Sequence, residues 1–196
     1  MSILYGPAYD RIHKYLVDLK ININEDMMFD FLKIYRRWPL MSHTGQPSIE
    51  MINNMGNKEK RQLMDYRGYL NFDAFKKYYD LGYAFILSDI LDLHSELRAI
   101  DEFAKQNVGT RIAGNFYFTK GGGDQAPSLK VHTDAYDIFV KNIYGKSYWQ
   151  IGNAKVLSDN QRVHYVEPEV PHGVYEIPEK RLSLVLGCYG EEQNTK

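Results

Sequence analysis

The chain has 196 residues, of which 44% are hydrophobic and 25% charged, and its formal net charge is −1. That length supports one domain with a sizeable core, and the near-neutral balance excludes a global field that would draw in nucleic acid or an anionic membrane. A single cysteine, Cys188, excludes an internal disulfide and a multi-cysteine zinc site.

The opening stretch "MSILYGPAYDRIHKYL" lacks the apolar core of a signal peptide, and no run approaches about 18 apolar residues, so the expected location is cytoplasmic. "AYDRIHKYLVDLK" sets Ile12, Tyr15, Leu16 and Leu19 at helical spacing. "EDMMFDFLKIYRRW" does the same with Met28, Phe29, Phe31, Leu32 and Tyr35, and Pro39 follows as a stop. "MSHTGQPSIEMINNMGNKEK" is rich in turn formers with little periodicity and reads mainly as loop. "NFDAFKKYYDLG" is a short amphipathic helix with Asn71 as N-cap and Gly82 at its end.

The texture then changes. "YAFIL" predicts a strand, "LHSELRAIDEFAKQN" a helix ended by Gly109, and from Thr110 onward the signals are nearly all β. "TRIAGNFYFT" is a strand, "KGGGDQAPS" a loop expected at the mouth of a pocket, and "LKVHTDAYDIFVKNIYGKSYWQI" two strands turning at Gly145, with His132 and Asp134 set into the first. "RVHYVEP", "GVYEIPE" and "RLSLVLGCYG" follow as further strands. Helices first and then many short strands predict a mainly β protein, a β-barrel or jelly roll braced by N-terminal helices. Residues 1–82 are expected to form a helical region packed on the barrel, 83–190 the β core and 191–196 a tail, all within one compact domain.

Two His and one carboxylate on one face are the ligand set of non-haem iron in oxygenases, because they leave positions open for substrate and oxygen. Strand side chains repeat with period two, so His132 and Asp134 can point the same way, and His172 in "VPHGV" lies 38 residues beyond the Asp. One H-x-D is weak evidence by itself. The pair His94 and Glu96 sits in a helical pattern, where i and i+2 diverge, and is rejected as a ligand pair. His13 and His43 have no carboxylate at useful spacing, and His164 reads as an ordinary strand or surface residue.

The strand after His172 strengthens the case. Arg181 and Ser183 share a face there, while Leu182, Leu184 and Leu186 occupy the alternate positions. An Arg on an apolar strand needs a buried anion, which an internal Asp or Glu or a bound carboxylate could supply. A guanidinium fork with a neighbouring hydroxyl suits a carboxylate. In "GNFYF", Asn115 and Tyr117 share a face and could hold a carboxylate oxygen or merely satisfy the strand. Tyr136, Tyr144, Tyr148 and Trp149 could line or brace a pocket, Tyr136 and Tyr148 being the candidates for contact with substrate; core packing explains them equally well.

Together these residues resemble the Fe(II)- and 2-oxoglutarate-dependent oxygenases, whose double-stranded β-helix, a cupin or jelly-roll core, carries H-x-D…H. The order of strand, helix, N-x-Y strand, Gly-rich loop, H-x-D and Gly-centred turn over residues 81–188 is similar to the JmjC-type hydroxylases of the ribosomal-oxygenase branch. The resemblance implies His132, Asp134 and His172 as iron ligands, with no catalytic residue beyond them. It also implies Fe(II), O₂ and the co-substrate 2-oxoglutarate, with release of succinate and CO₂. In that branch a basic residue two positions after the turn glycine holds the co-substrate's distal carboxylate; here that position is Ser147, and Lys146 should face the other way. Arg181 with Ser183 matches the arrangement of other 2-oxoglutarate oxygenases instead.

Few residues follow the barrel, so the C-terminal dimerisation and winged-helix parts of that branch are expected to be lacking, and with them the case for a ribosomal-protein substrate. The expected substrate is a peptide side chain or a small metabolite, with no nucleic-acid or membrane partner, and the chain is expected to be a monomer or homodimer. Two other readings stand beside this one: a cupin-type metal dioxygenase that does not use 2-oxoglutarate, and a non-catalytic cupin binding module.

Overall fold

A computed structural model of the chain describes residues 7–42, 45–53, 55–107, 111–122 and 128–189. Helix α1 (Pro7–Asp18) buries Ile12 and Leu16, one turn apart on its inner face. Helix α2 (Glu25–Lys33) starts at Asn24, whose side chain accepts from Met27 N at 2.9 Å, with Glu25 and Asp26 in the first turn. It stops at Lys33, earlier than the periodicity predicts. Phe31 O accepts from Ile34 N at 3.2 Å and from the Trp38 indole N–H at 2.9 Å, which tightens the chain into a 3₁₀ turn at Tyr35–Arg37.

The stretch read as loop holds two strands, β1 (Ile49–Ile52) and β2 (Lys58–Glu59). Helix α3 (Phe72–Asp80) has Asn71 as its N-cap, accepting from Ala74 N at 3.1 Å. Strand β3 (Ala84–Ser88) and helix α4 (Ser95–Asn107) fall as expected; Gly109, His43, the tail 191–196 and residues 123–127 of the glycine-rich loop lie outside the described residues. The β region comprises β4 (Arg111–Thr119), β5 (Asp137–Tyr144), β6 (Ser147–Ile151), β7 (Ala154–Ser158), β8 (Val163–Val166), β9 (His172–Glu176) and β10 (Arg181–Tyr189). His132 and Asp134 precede β5 rather than lying within a strand. No helix among the described residues is long and apolar enough to cross a membrane.

Two antiparallel sheets form, ordered β2-β1-β3-β4-β10-β5-β8 and β7-β6-β9. The chain crosses between them after β5, β7, β8 and β9, which winds a double-stranded β-helix. His132 adds one rung beside β9, through His132 N to His172 O at 3.0 Å and the reverse bond at 2.8 Å. Because β1 and β2 extend the same sheet as β3, the expected boundary between helical region and barrel near residue 82 does not hold: the N-terminal part is woven into the large sheet.

The main core lies between the large sheet and the helices, where Phe116, Phe118, Leu182, Leu184 and Leu186 meet Leu16, Met28, Phe75 and Leu97. Only Ile138, Val140, Trp149 and Val166 form a buried cluster between the two sheets. Strand parity therefore leaves the inner faces of β4 and β10 lining an open cavity. On the outer face of β5 the buried Lys141 donates to Leu16 O at 2.6 Å and Leu19 O at 2.8 Å, capping the end of α1 and tying it to the barrel.

Gly145 carries the β5–β6 turn at φ +74, and a Cβ there would lie 2.0 Å from Lys180 O and 2.9 Å from Arg181 Cα. The turn thus presses directly on the start of β10. Gly145→Ala is expected to cost at least about 2 kcal/mol, from a left-handed backbone that disfavours side chains together with the collision. Urea denaturation measures this; a wild-type midpoint in the variant would contradict it.

Candidate metal centre

Two chain segments meet to build the site. Besides the His132–His172 rung, Glu169 N donates to Asp134 O at 2.8 Å, so the H-x-D segment is stitched by backbone bonds to the chain entering β9. Both rings are then fixed in the same way: His132 Nδ1 lies 2.9 Å from Lys130 O and His172 Nδ1 3.0 Å from Val170 O, each a carbonyl two residues back. Those contacts engage Nδ1 as donor and leave Nε2 of each ring as the free ligand atom. Both Nε2 atoms face Asp134 Oδ2, at 3.6 Å from His132 and 3.2 Å from His172.

The three ligand atoms all lie within 4.8 Å of one another, and among the described residues no other cluster offers three possible ligands. The His172 side chain is 4% exposed and that of His132 38%, so one ligand sits in the wall and the other at the mouth. Hydrogen bonding to His172 and the neighbouring imidazoles hold the Asp134 carboxyl below its usual range, against the effect of burial. Burial opposes charge on His172, yet its hydrogen bonds to Asp134 and Val170 outweigh it and keep its pKa above the ordinary value. Two imidazole nitrogens and one carboxylate oxygen on one side, with the other side open to the cavity, fit a divalent first-row ion such as iron.

The rejected pair behaves otherwise. Glu96 accepts from Asn22 N at 2.9 Å and Asn22 Nδ2 at 3.2 Å, tying the first turn of α4 to the segment before α2. His164 Nε2 meets Leu157 O at 2.8 Å, a strand contact.

The cavity measures about 790 Å³, and its lining includes the three ligands together with Asn115, Tyr117, Tyr136, Trp149 and Arg181. Arg181 is 1% exposed, and its Nε and Nη1 have no hydrogen-bond partner among the described residues. Burial pushes its pKa down to about 10, with Tyr117 acting in the opposite direction. No carboxylate among the described residues bonds it. Burial, and then the charge of Asp134, push the Tyr117 hydroxyl up to about 12, so it stays a neutral donor. Trp149 lies nearly parallel to His172, ring centroids 6.5 Å apart, and walls the site on one side.

Two expectations change. Ser183 does not line the cavity; its hydroxyl donates to Asn142 Oδ1 at 2.6 Å, so Arg181 works without it. Tyr148 points out of the barrel and rests against Tyr175, ring centroids 6.1 Å apart, which removes it from any substrate pocket. Ser147 is fully buried, and its hydroxyl accepts from Trp149 Nε1 at 3.1 Å and Asn142 Nδ2 at 3.3 Å, while Lys146 is exposed. The position that holds a basic anchor in the ribosomal branch is therefore occupied by a neutral network whose hub, Asn142, sequence reasoning missed. A polar residue at an inward position of the apolar run "DIFVKNIY" was the available signal.

The barrel is a double-stranded β-helix with a His, Asp, His cluster facing its interior. Residues 91–178 match the family model described as the JmjC domain, so the JmjC resemblance is borne out over that stretch. Among solved structures, YcfD, a ribosomal oxygenase from Escherichia coli in complex with cobalt and 2-oxoglutarate, superposes with a TM-score of 0.62 at 13% identity, over 90% of this chain and 46% of that one. Its complex with cobalt and succinic acid gives a TM-score of 0.57 at 13% identity with the same coverage of 90% and 46%. The chain thus spans about half the length of these structures, and at that identity the likeness establishes the fold. No curated protein matches the sequence.

Proposed function

We propose that the chain is an Fe(II)- and 2-oxoglutarate-dependent oxygenase that hydroxylates a peptide side chain or a small metabolite. One observation carries the reading: a buried guanidinium whose Nε and Nη1 have no partner among the described residues opens onto the same cavity as the three-ligand cluster. A buried, unpaired charge is costly, so its retention marks a site for an anionic ligand. That YcfD binds cobalt and 2-oxoglutarate on the same fold supports the choice of anion.

When bound, iron and 2-oxoglutarate supply the oxidising chemistry, coupling decarboxylation to succinate and CO₂ with conversion of a substrate C–H to C–OH. The protein's own work is narrower. His132, Asp134 and His172 present three ligand atoms from one side and leave the other free. Arg181 takes the far carboxylate of the co-substrate, with Tyr117 as a neutral donor and Asn115 beside it. Trp149 excludes water behind His172. No acid or base is required of the chain.

The test is turnover of 2-oxoglutarate without substrate. With Fe(II), ascorbate and air, slow release of succinate followed by proton NMR is expected, and none from His172→Ala. Iron-dependent oxygen consumption that leaves 2-oxoglutarate untouched would instead establish a cupin-type dioxygenase whose own substrate carboxylate lies on Arg181.

A further inference from the structure

Asp134 is the only anionic member of the cluster, and its environment contains more phenols than ligation requires. Tyr117, Tyr136 and Tyr189 all line the cavity around it. Tyr136 lies two residues past Asp134, and its hydroxyl stands beside the Asp134 carboxylate and the Tyr189 hydroxyl, near enough to act on both. The Tyr136 and Tyr189 rings pack with centroids 4.4 Å apart at 42°. The backbone of β10 is cut away to admit them: a Cβ at Gly187 would lie 2.9 Å from Tyr136 Cε2 and 3.1 Å from Tyr189 Oη. A ligand carboxylate, a phenol beside it, a second phenol packed on the first and a glycine making room are four matched features in one corner.

We infer that Tyr136 is a positioning residue that fixes how Asp134 ligates, Tyr189 and Gly187 being its support. This rests on the metal-site reading above and extends it. A carboxylate has two oxygens, and Asp134 Oδ2 is the one facing both imidazoles. A phenol beside the carboxylate restrains its rotation and would compete for one of its oxygens, so a metal bound here would be held through a single carboxylate oxygen rather than both. Outer partners of ligands characteristically change metal affinity by about 10- to 100-fold, and Tyr136 has the placement for that role. Tyr136 lines the cavity where the sequence expectation places it, and the positioning task stands beside that one on the same wall.

Cobalt(II) is the probe, because its visible absorption reports coordination number without any turnover. Titrated into wild-type chain and into Tyr136→Phe, it should bind the variant about 10-fold or more weakly, with a visible band of altered intensity. Tyr189→Phe, which keeps the Tyr136 hydroxyl but removes the one beside it, should shift affinity the same way by less. Thermal melting of the metal-free proteins should be alike for wild type and Tyr189→Phe, which guards against a folding artefact in Tyr136→Phe. Wild-type affinity and an unchanged band in Tyr136→Phe would overturn the inference while leaving the metal site standing. If the wild-type chain takes up no cobalt, the metal reading falls and this inference with it.

Discussion

Arg181→Met should weaken 2-oxoglutarate binding by about 100-fold or more and, at the same time, leave the metal-free protein as stable as wild type or more so. The first effect follows from removing the charged partner of a buried carboxylate, which typically costs about 2–5 kcal/mol. The second follows from the buried guanidinium: Nε and Nη1 have no partner among the described residues, so the ligand-free site holds a charge that those residues leave uncompensated. The sign of the stability change separates the alternatives. A structural Arg paired with an internal acid would lose about 3–5 kcal/mol when truncated. Titration of 2-oxoglutarate into the Mn(II)-loaded protein and urea denaturation of the metal-free protein give both numbers. Lys146→Ala is the control and should change neither, since Lys146 is exposed. Loss of 2-oxoglutarate binding in Lys146→Ala alone would move the anchor to that lysine.

Asp134→Ala should abolish tight metal binding, and His172→Ala should do nearly the same. Asp134 supplies the only negative charge of the cluster, and its Oδ2 faces both imidazoles, at 3.6 and 3.2 Å. Removing it leaves two imidazoles, a set with neither the charge nor the count for a stable divalent site. A drop of at least about 100-fold in Co(II) affinity is expected, exceeding the outer-partner range of about 10- to 100-fold. Because the His132–His172 rung uses backbone atoms, the fold should survive both changes. Calorimetric metal titration with a circular-dichroism check measures this. Retained affinity in Asp134→Ala would place the metal elsewhere.

The sequence made the ligands legible because period-two spacing and a distant His form a pattern that few other folds need. It made Arg181 legible for a different reason, since a cation between leucines has no ordinary place on a buried strand. Parity carried that far and no further. Ser183 does share the inward face of β10, but β5 and β10 shift register between Leu182 and Ser183, and Asn142 comes to lie opposite Ser183 and caps it. Such a shift depends on two strands pairing across 41 residues of chain and leaves no mark on either alone. Tyr148 was excludable: once Ser147 is read as facing inward, its neighbour must face outward. β1 and β2 were hidden because a four-residue and a two-residue strand take their order from β3, not from their own pattern. The H-x-D pair was read inside a strand because its residues alternate like one, whereas only His132 makes a rung.

Glu50 and Lys58, 3.4 Å apart, line the cavity alongside Ile86 and Ser88. The woven-in β1 and β2 therefore form part of the cavity wall.

Anaerobic titration of Fe(II) into the chain in the presence of 2-oxoglutarate tests the central claim most directly, because one signal needs the three ligands and Arg181 together. A visible metal-to-ligand charge-transfer band is expected when both Fe(II) and 2-oxoglutarate are present, saturating at one iron per chain, missing with either component alone and missing in His172→Ala. Iron uptake with no such band at saturating 2-oxoglutarate would contradict it.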